Sequence, residues 1–142
     1  MTPATHLIDT SALARLFDKS SAPEVEPWAQ AAIAGLIAVC PITELEFLYS
    51  AISPSHRAQM SEELGRLFLP VDLGDRCTSR ALEVQRLLAD ASEHRSAGPV
   101  DLLVAACAEL SGLTLLHYDR DFETIAKHTG QPTSWLAEPG SL

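Results

Sequence analysis

Short apolar runs that each give way to a helical pattern constrain this fold most. His6-Leu7-Ile8 precedes Thr10 to Phe17, where apolar residues recur at helical spacing, and Leu113-Thr114-Leu115-Leu116-His117 precedes a short helix from Asp121 to His128. Leu36-Ile37-Ala38-Val39-Cys40 is apolar throughout, as a parallel strand covered on both faces would be. Phe68-Leu69-Pro70-Val71 is a further strand, which Pro70 assigns to a sheet edge or strand end, and Trp135-Leu136 is a short last one. Strands alternating with helices predict an α/β three-layer sandwich with a central parallel sheet of four to five strands.

The intervening helices carry their own signals. Ser20-Ser21-Ala22-Pro23 is a break, and Glu24 to Ala34 reads as a helix that Gly35 stops. Thr43 with Glu46 matches a capping box, and Leu45, Leu48 and Tyr49 form the apolar stripe of the next helix. Ser55 is a candidate cap for a helix running to about Leu67, and Asp75 to Ala91 is long and amphipathic, with Leu82, Val84, Leu87 and Leu88 on its apolar side. After the polar loop Ser92 to Gly98, Pro99 opens a helix that Gly112 closes. A chain of 142 residues holds one substantial core, so residues 1–137 read as a single domain and 138–142 as a flexible tail.

Composition narrows the class. With 46% hydrophobic and 20% charged residues, the chain is neither disordered nor a coiled-coil rod. The longest apolar tract, Ala29 to Ile42, contains Gln30, Gly35 and Pro41 and falls short of the ~20 residues of a membrane span. The first residues carry no export signal, and Cys40, Cys77 and Cys107 are widely spaced without zinc-ligand spacing, so the expectation is a cytoplasmic protein with reduced, packed thiols. The formal net charge of −9 counts against a phosphate-binding surface, is partly offset where acids hold a cation, and suits a basic protein partner.

Four acids stand where a strand or loop hands over to a helix: Asp9, Glu44, Asp101 and Asp119. Ligands of open α/β sheets sit beyond the carboxyl ends of the strands, where Asp9 and Asp119 fall. Carboxylates gathered there repel one another, and a hard divalent cation relieves the repulsion. Taken singly, each acid has a structural explanation as a helix cap or first-turn residue.

The texts around these acids resemble the PIN-domain nucleases, most closely the VapC toxins of toxin–antitoxin pairs. Leu7-Ile8-Asp9-Thr10-Ser11-Ala12 looks like the family's opening strand and Asp. Glu44 matches a Glu that opens a helix, with Glu46 as a competing assignment. Asp101-Leu102-Leu103-Val104-Ala105-Ala106 matches the third motif, and Asp119 before Asp121-Phe122 the fourth, with Asp121 competing. The resemblance spans residues 6 to about 122. One departure is His117, where the family often has Thr.

The resemblance implies an endoribonuclease leaving 5′-phosphate and 3′-hydroxyl ends, with catalytic Asp9, Glu44, Asp101 and Asp119, of which Asp9, Asp101 and Asp119 hold Mg²⁺ or Mn²⁺. Ser11, Asp121 and His117 are candidates to support the ligands, and Arg15, Arg95 and Arg120 to contact RNA. It also implies a VapB-type antitoxin and a homodimer. Trp28 with Leu13, Leu16 and Phe17 either lines a groove for an antitoxin helix or fills the core. Two other readings compete: a non-catalytic PIN-like binding domain, and phosphoryl transfer through an aspartyl-phosphate at Asp119-Arg120-Asp121.

Overall fold

The computed structural model describes residues 4–19 and 22–142. In chain order the elements are β1 (His6–Ile8), α1 (Thr10–Asp18), α2 (Glu26–Ile33), β2 (Ile37–Val39), α3 (Pro41–Leu48), α4 (Pro54–Leu67), β3 (Leu69–Pro70), α5 (Cys77–Asp90), α6 (Pro99–Leu110), β4 (Thr114–His117), α7 (Asp121–Thr129) and β5 (Thr133–Trp135). The strands form one sheet in the order β3-β2-β1-β4-β5, parallel at every pairing, as the strand and helix alternation predicts. β3, with Pro70, lies at an edge, where a missing N–H costs no ladder bond.

Alternate strand residues feed opposite faces of the sheet. Leu7, Ala38 and Leu115 enter a core with α5, α6 and α7, whereas Ile8, Ile37, Val39 and Leu116 enter a second with residues of α1 to α4. The register His6↔Thr114, Leu7↔Leu115, Ile8↔Leu116 aligns the two central strands so that both end at one rim of the sheet. Leu115 is fully buried at the middle of that pairing. Leu115→Ala is expected to lower unfolding free energy by about 2–5 kcal/mol, read by urea titration.

Helix ends follow local chemistry. Gly130 ends α7 in the left-handed region at φ 75°, its N–H donating to the Ala126 carbonyl at 2.8 Å, a conformation that suits glycine. α2 begins two residues later than Glu24, and the break at Ser20 and Ser21 lies outside the described residues. Three local expectations fail in and after α3. Pro41 starts this helix ahead of Thr43, so Thr43 turns inward against Cys40 Sγ at 3.8 Å and forms no capping box. The stripe keeps only Leu48 buried, with Leu45 64% and Tyr49 91% exposed. Ser53, not Ser55, caps α4, accepting from the His56 N–H at 3.0 Å.

Cys40, Cys77 and Cys107 are free and buried. Leu13 and Leu16 are buried in the second core, and the Trp28 indole packs against it while donating to the Leu136 carbonyl at 2.9 Å. Residues beyond Ala137 have specific contacts: the Leu142 N–H donates to Tyr118 Oη at 2.8 Å, and Leu142 packs against the second core. No helix among the described residues is long and apolar enough to cross a membrane.

Candidate metal centre

The strand order reverses between β1 and β4, and the crevice beyond their carboxyl ends is where an open α/β sheet offers a binding site. Asp9 leaves β1 on one side of that crevice, and Asp119 follows β4 on the other.

Asp9 is only 4% exposed and caps α1. Its carboxylate accepts from the Ser11 N–H at 3.0 Å, the Ala12 N–H at 3.2 Å and the Ser11 hydroxyl at 2.8 and 2.9 Å. Ser11 Oγ in turn accepts from the Tyr118 N–H at 2.9 Å, so one hydroxyl ties the end of β1 to the turn after β4. Burial nonetheless pushes the Asp9 carboxyl up to about 7; the bonds from Ser11 and Ala12 oppose the rise and the charge of Asp101 adds to it.

Asp101 lies in the first turn of α6, and carboxylate oxygens of Asp101, Asp119 and Asp121 all fall within 4.8 Å of one another. Burial raises Asp101 to about 6, reinforced by the charges of Asp119, Asp121 and Glu46. Burial and then Asp119 raise Asp121 as well. Asp119 Oδ1 also accepts the Asp121 N–H at 2.9 Å, which fixes the turn that presents both acids.

Of the two glutamates in α3, Glu46 faces this group. Thr10, next to Asp9, donates its hydroxyl to Glu46 Oε1 at 2.5 Å, and the Glu46 charge reaches Asp101. Glu44 precedes it by two residues, which in a helix places it about 200° around the axis from Glu46. Of the two, Glu46 is the one with these contacts; the sequence offered it both as a capping residue and as the rival to Glu44.

The remaining candidates separate by position. His117 is fully buried at the end of β4 between the rings of Trp135 and Phe122, at centroid distances of 4.7 and 5.4 Å. Arg15 places its guanidinium 4.9 Å from the centroid of the Tyr118 ring. Arg95 and Arg120 are exposed, Arg120 on the turn between Asp119 and Asp121.

Oxygen-only donors at this spacing suit a small hard cation. Adjacent ligands of an octahedral Mg²⁺ stand about 3 Å apart and opposite ones about 4.2 Å, so three carboxylate oxygens within 4.8 Å of one another reach ligand spacing by modest side-chain movement. Burial first, and neighbouring carboxylates after it, disfavour the charged forms of Asp9 and Asp101. In metal-free protein the folded state holds protons on Asp9 and Asp101 that the unfolded chain, at 3.8, has released. Stability is therefore expected to fall as pH rises between 3.8 and about 7 and then to level off, read by urea titrations in chelator across that range.

The PIN domain family model matches residues 6–128. Ribonuclease VapC2 of Mycobacterium tuberculosis (strain CDC 1551 / Oshkosh) is 45% identical over 137 residues, covering 96% of this chain and 95% of its own. Ribonuclease VapC18 of Mycobacterium tuberculosis (strain ATCC 25618 / H37Rv) is 39% identical over 138 residues, covering 95% and 97%. Among solved structures, the DNA-bound VapBC of Salmonella typhimurium superposes with a TM-score of 0.78 at 17% identity, over 94% of this chain and 99% of that one. VapBC-1 of nontypeable Haemophilus influenzae gives 0.76 at 14% identity, over 93% and 98%. With a family match over most of its length and relatives this similar from end to end, the chain belongs to the PIN domain family.

Proposed function

We propose that the protein is a divalent-metal-dependent endoribonuclease toxin, held in check by a cognate VapB-type antitoxin. The observation that carries this reading is the meeting of Asp101, Asp119 and Asp121 within 4.8 Å at the rim where Asp9 ends β1. Two relatives covering almost the whole chain at 45% and 39% identity are named ribonucleases, which supports the same chemistry here.

Asp101, Asp119 and Asp121 would hold Mg²⁺ or Mn²⁺, with Asp9 beside them. When bound, the cation supplies Lewis acidity and a water of lowered pKa for attack on phosphorus. The side chains do the rest. Ser11 locks the Asp9 carboxylate in place, and Thr10 holds Glu46 by a hydrogen bond from its hydroxyl, where that carboxylate would orient the attacking water. Exposed Arg95 and Arg120 and the ring-stacked Arg15 offer charge to the RNA phosphates, which the acidic body otherwise repels. Glu44 has no part in this arrangement.

The antitoxin has a place to sit. A groove of about 620 Å³ runs along α1, α3 and α4, with Ala14, Phe17, Phe47 and Met60 inside it and Asp18, Glu46 and Glu63 among its walls. The stacked rings of Phe17 and Phe47, 5.4 Å apart, give it an apolar floor. An amphipathic antitoxin helix with basic residues fits both, and because Glu46 belongs to groove and acid cluster alike, occupying one obstructs the other. A homodimer is proposed through the exposed apolar face of Leu45, Tyr49 and Ile52.

Purified protein incubated with cellular RNA in chelator, then with Mg²⁺ or Mn²⁺ restored, tests the activity. Cleavage that appears with the metal and leaves 5′-phosphate ends is expected. Cleavage undiminished in chelator would remove the metal from the reaction.

A further inference from the structure

Behind the metal-facing acids lies a chain of polar contacts that neither the ligand set nor the groove uses. The Asp119 N–H donates to His117 Nδ1 at 3.2 Å. On the other edge of the ring, His117 Nε2 meets Glu123 Oε2 at 2.6 Å, and the same oxygen accepts the Thr133 hydroxyl at 2.8 Å. These partners fix one tautomer. A nitrogen that accepts the Asp119 N–H carries no proton, so the proton is on Nε2 and is donated to the carboxylate.

Three elements meet in this chain: His117 ends β4, Glu123 stands in the first turn of α7, and Thr133 opens β5. The ring is packed between Trp135 and Phe122 and has no solvent exposure, so it has little freedom to swing. The backbone group it takes up is the N–H of Asp119, and Asp119 passes the constraint on by accepting from the Asp121 N–H at 2.9 Å. The turn that presents two of the three clustered acids is thus anchored at its first residue by an imidazole whose far side is clamped to α7 and β5.

We propose that His117 is a positioning residue for the metal centre: as a neutral Nε2–H imidazole oriented by Glu123 and Thr133, it holds the Asp119–Asp121 turn at ligand spacing through the Asp119 N–H. This rests on the ribonuclease reading above. His117 touches neither the cluster's carboxylate oxygens nor, by its position behind the turn, the RNA.

Two substitutions separate the two sides of the ring. His117→Asn keeps an acceptor near the Nδ1 position, and His117→Gln keeps a donor near the Nε2 position while losing that acceptor. Residue-resolved amide hydrogen exchange without metal, together with Mn²⁺ titration, is the measurement. In His117→Gln the Asp119 amide is expected to exchange about tenfold faster than in the unsubstituted protein, the scale of one lost hydrogen bond. Mn²⁺ affinity is expected to fall about tenfold or more, as for a lost support behind a metal ligand. His117→Asn loses the Glu123 clamp but keeps the acceptor, so its Asp119 exchange is expected to rise no more than in a variant that lacks the clamp alone, and its Mn²⁺ affinity to fall less than in His117→Gln.

Equal protection of the Asp119 amide in both variants would overturn the proposal. So would an equal loss in both, which would reduce the ring to packing between Trp135 and Phe122. Glu123→Ala removes the clamp from a partly exposed position and gives a second route should the buried substitutions unfold the protein. It is expected to speed Asp119 exchange several-fold, and unchanged exchange there also overturns the proposal. If the exchange difference appears but the unsubstituted protein takes up no Mn²⁺, the positioning contact stands and the metal-dependent reading falls.

Discussion

Asp101→Asn is expected to lose RNA cleavage by at least about a hundredfold while the protein stays folded. Residues that merely support a ligand cost roughly 10 to 100-fold when removed, and Asp101 stands in the cluster itself. The amide is nearly the same size and keeps one oxygen, so α6 has no packing reason to shift. It also removes a half-buried carboxyl raised to about 6 by partial burial and by the charges of Asp119, Asp121 and Glu46. Metal-free Asp101→Asn should therefore be at least as stable above pH 7 as the unsubstituted chain, because one member of a repelling group is gone. Side-by-side cleavage assays and thermal melts at pH 8 read both effects. A variant that cleaves normally, or one that melts far below the unsubstituted protein, would contradict this assignment of Asp101.

The second large effect is a contrast within one helix. Glu46→Gln is expected to reduce Mn²⁺-dependent cleavage by about 10 to 100-fold, whereas Glu44→Gln is expected to stay near the unsubstituted rate. The amide that replaces the Glu46 carboxylate would retain an acceptor for the Thr10 hydroxyl, so the first helix stays in register with α3. What disappears is the negative charge that reaches Asp101. Measuring both variants against one RNA at several Mn²⁺ concentrations decides between the two glutamates. Equal losses would mean that α3 acts through its overall charge and not through a directed side chain.

That contrast marks where reading the sequence stops being sufficient. The sheet was legible because β1, β2 and β4 are short, mostly apolar runs and each is followed by a helical pattern. The placement of Asp9 and Asp119 at the rim was legible because strand ends pin them, and that of Asp101 because Pro99 marks the start of its helix. Glu46 was visible as a rival to Glu44, but two acids two residues apart lie on different sides of a helix, and their spacing does not say which side meets the rim. The start of α3 at Pro41 turned Thr43 inward and left Leu45 and Tyr49 outside, since a helical period groups residues on one face without saying what that face meets. Asp121 was visible as a rival to Asp119, and the structure gathers both with Asp101. The role of His117 depends on Glu123 and Thr133, which lie on two other elements, and no spacing in the chain relates them.

The interleaving of β1 residues between two half-cores also guards the acids at its end. Were β1 to slide by a single residue against β4, Leu7 and Ile8 would trade faces, the packing above and below the sheet would fail together, and Asp9 would retreat from the rim or overshoot it. A misaligned hydrolase is thus also a poorly folded one, and quality control that removes unstable chains removes miswired active centres with them.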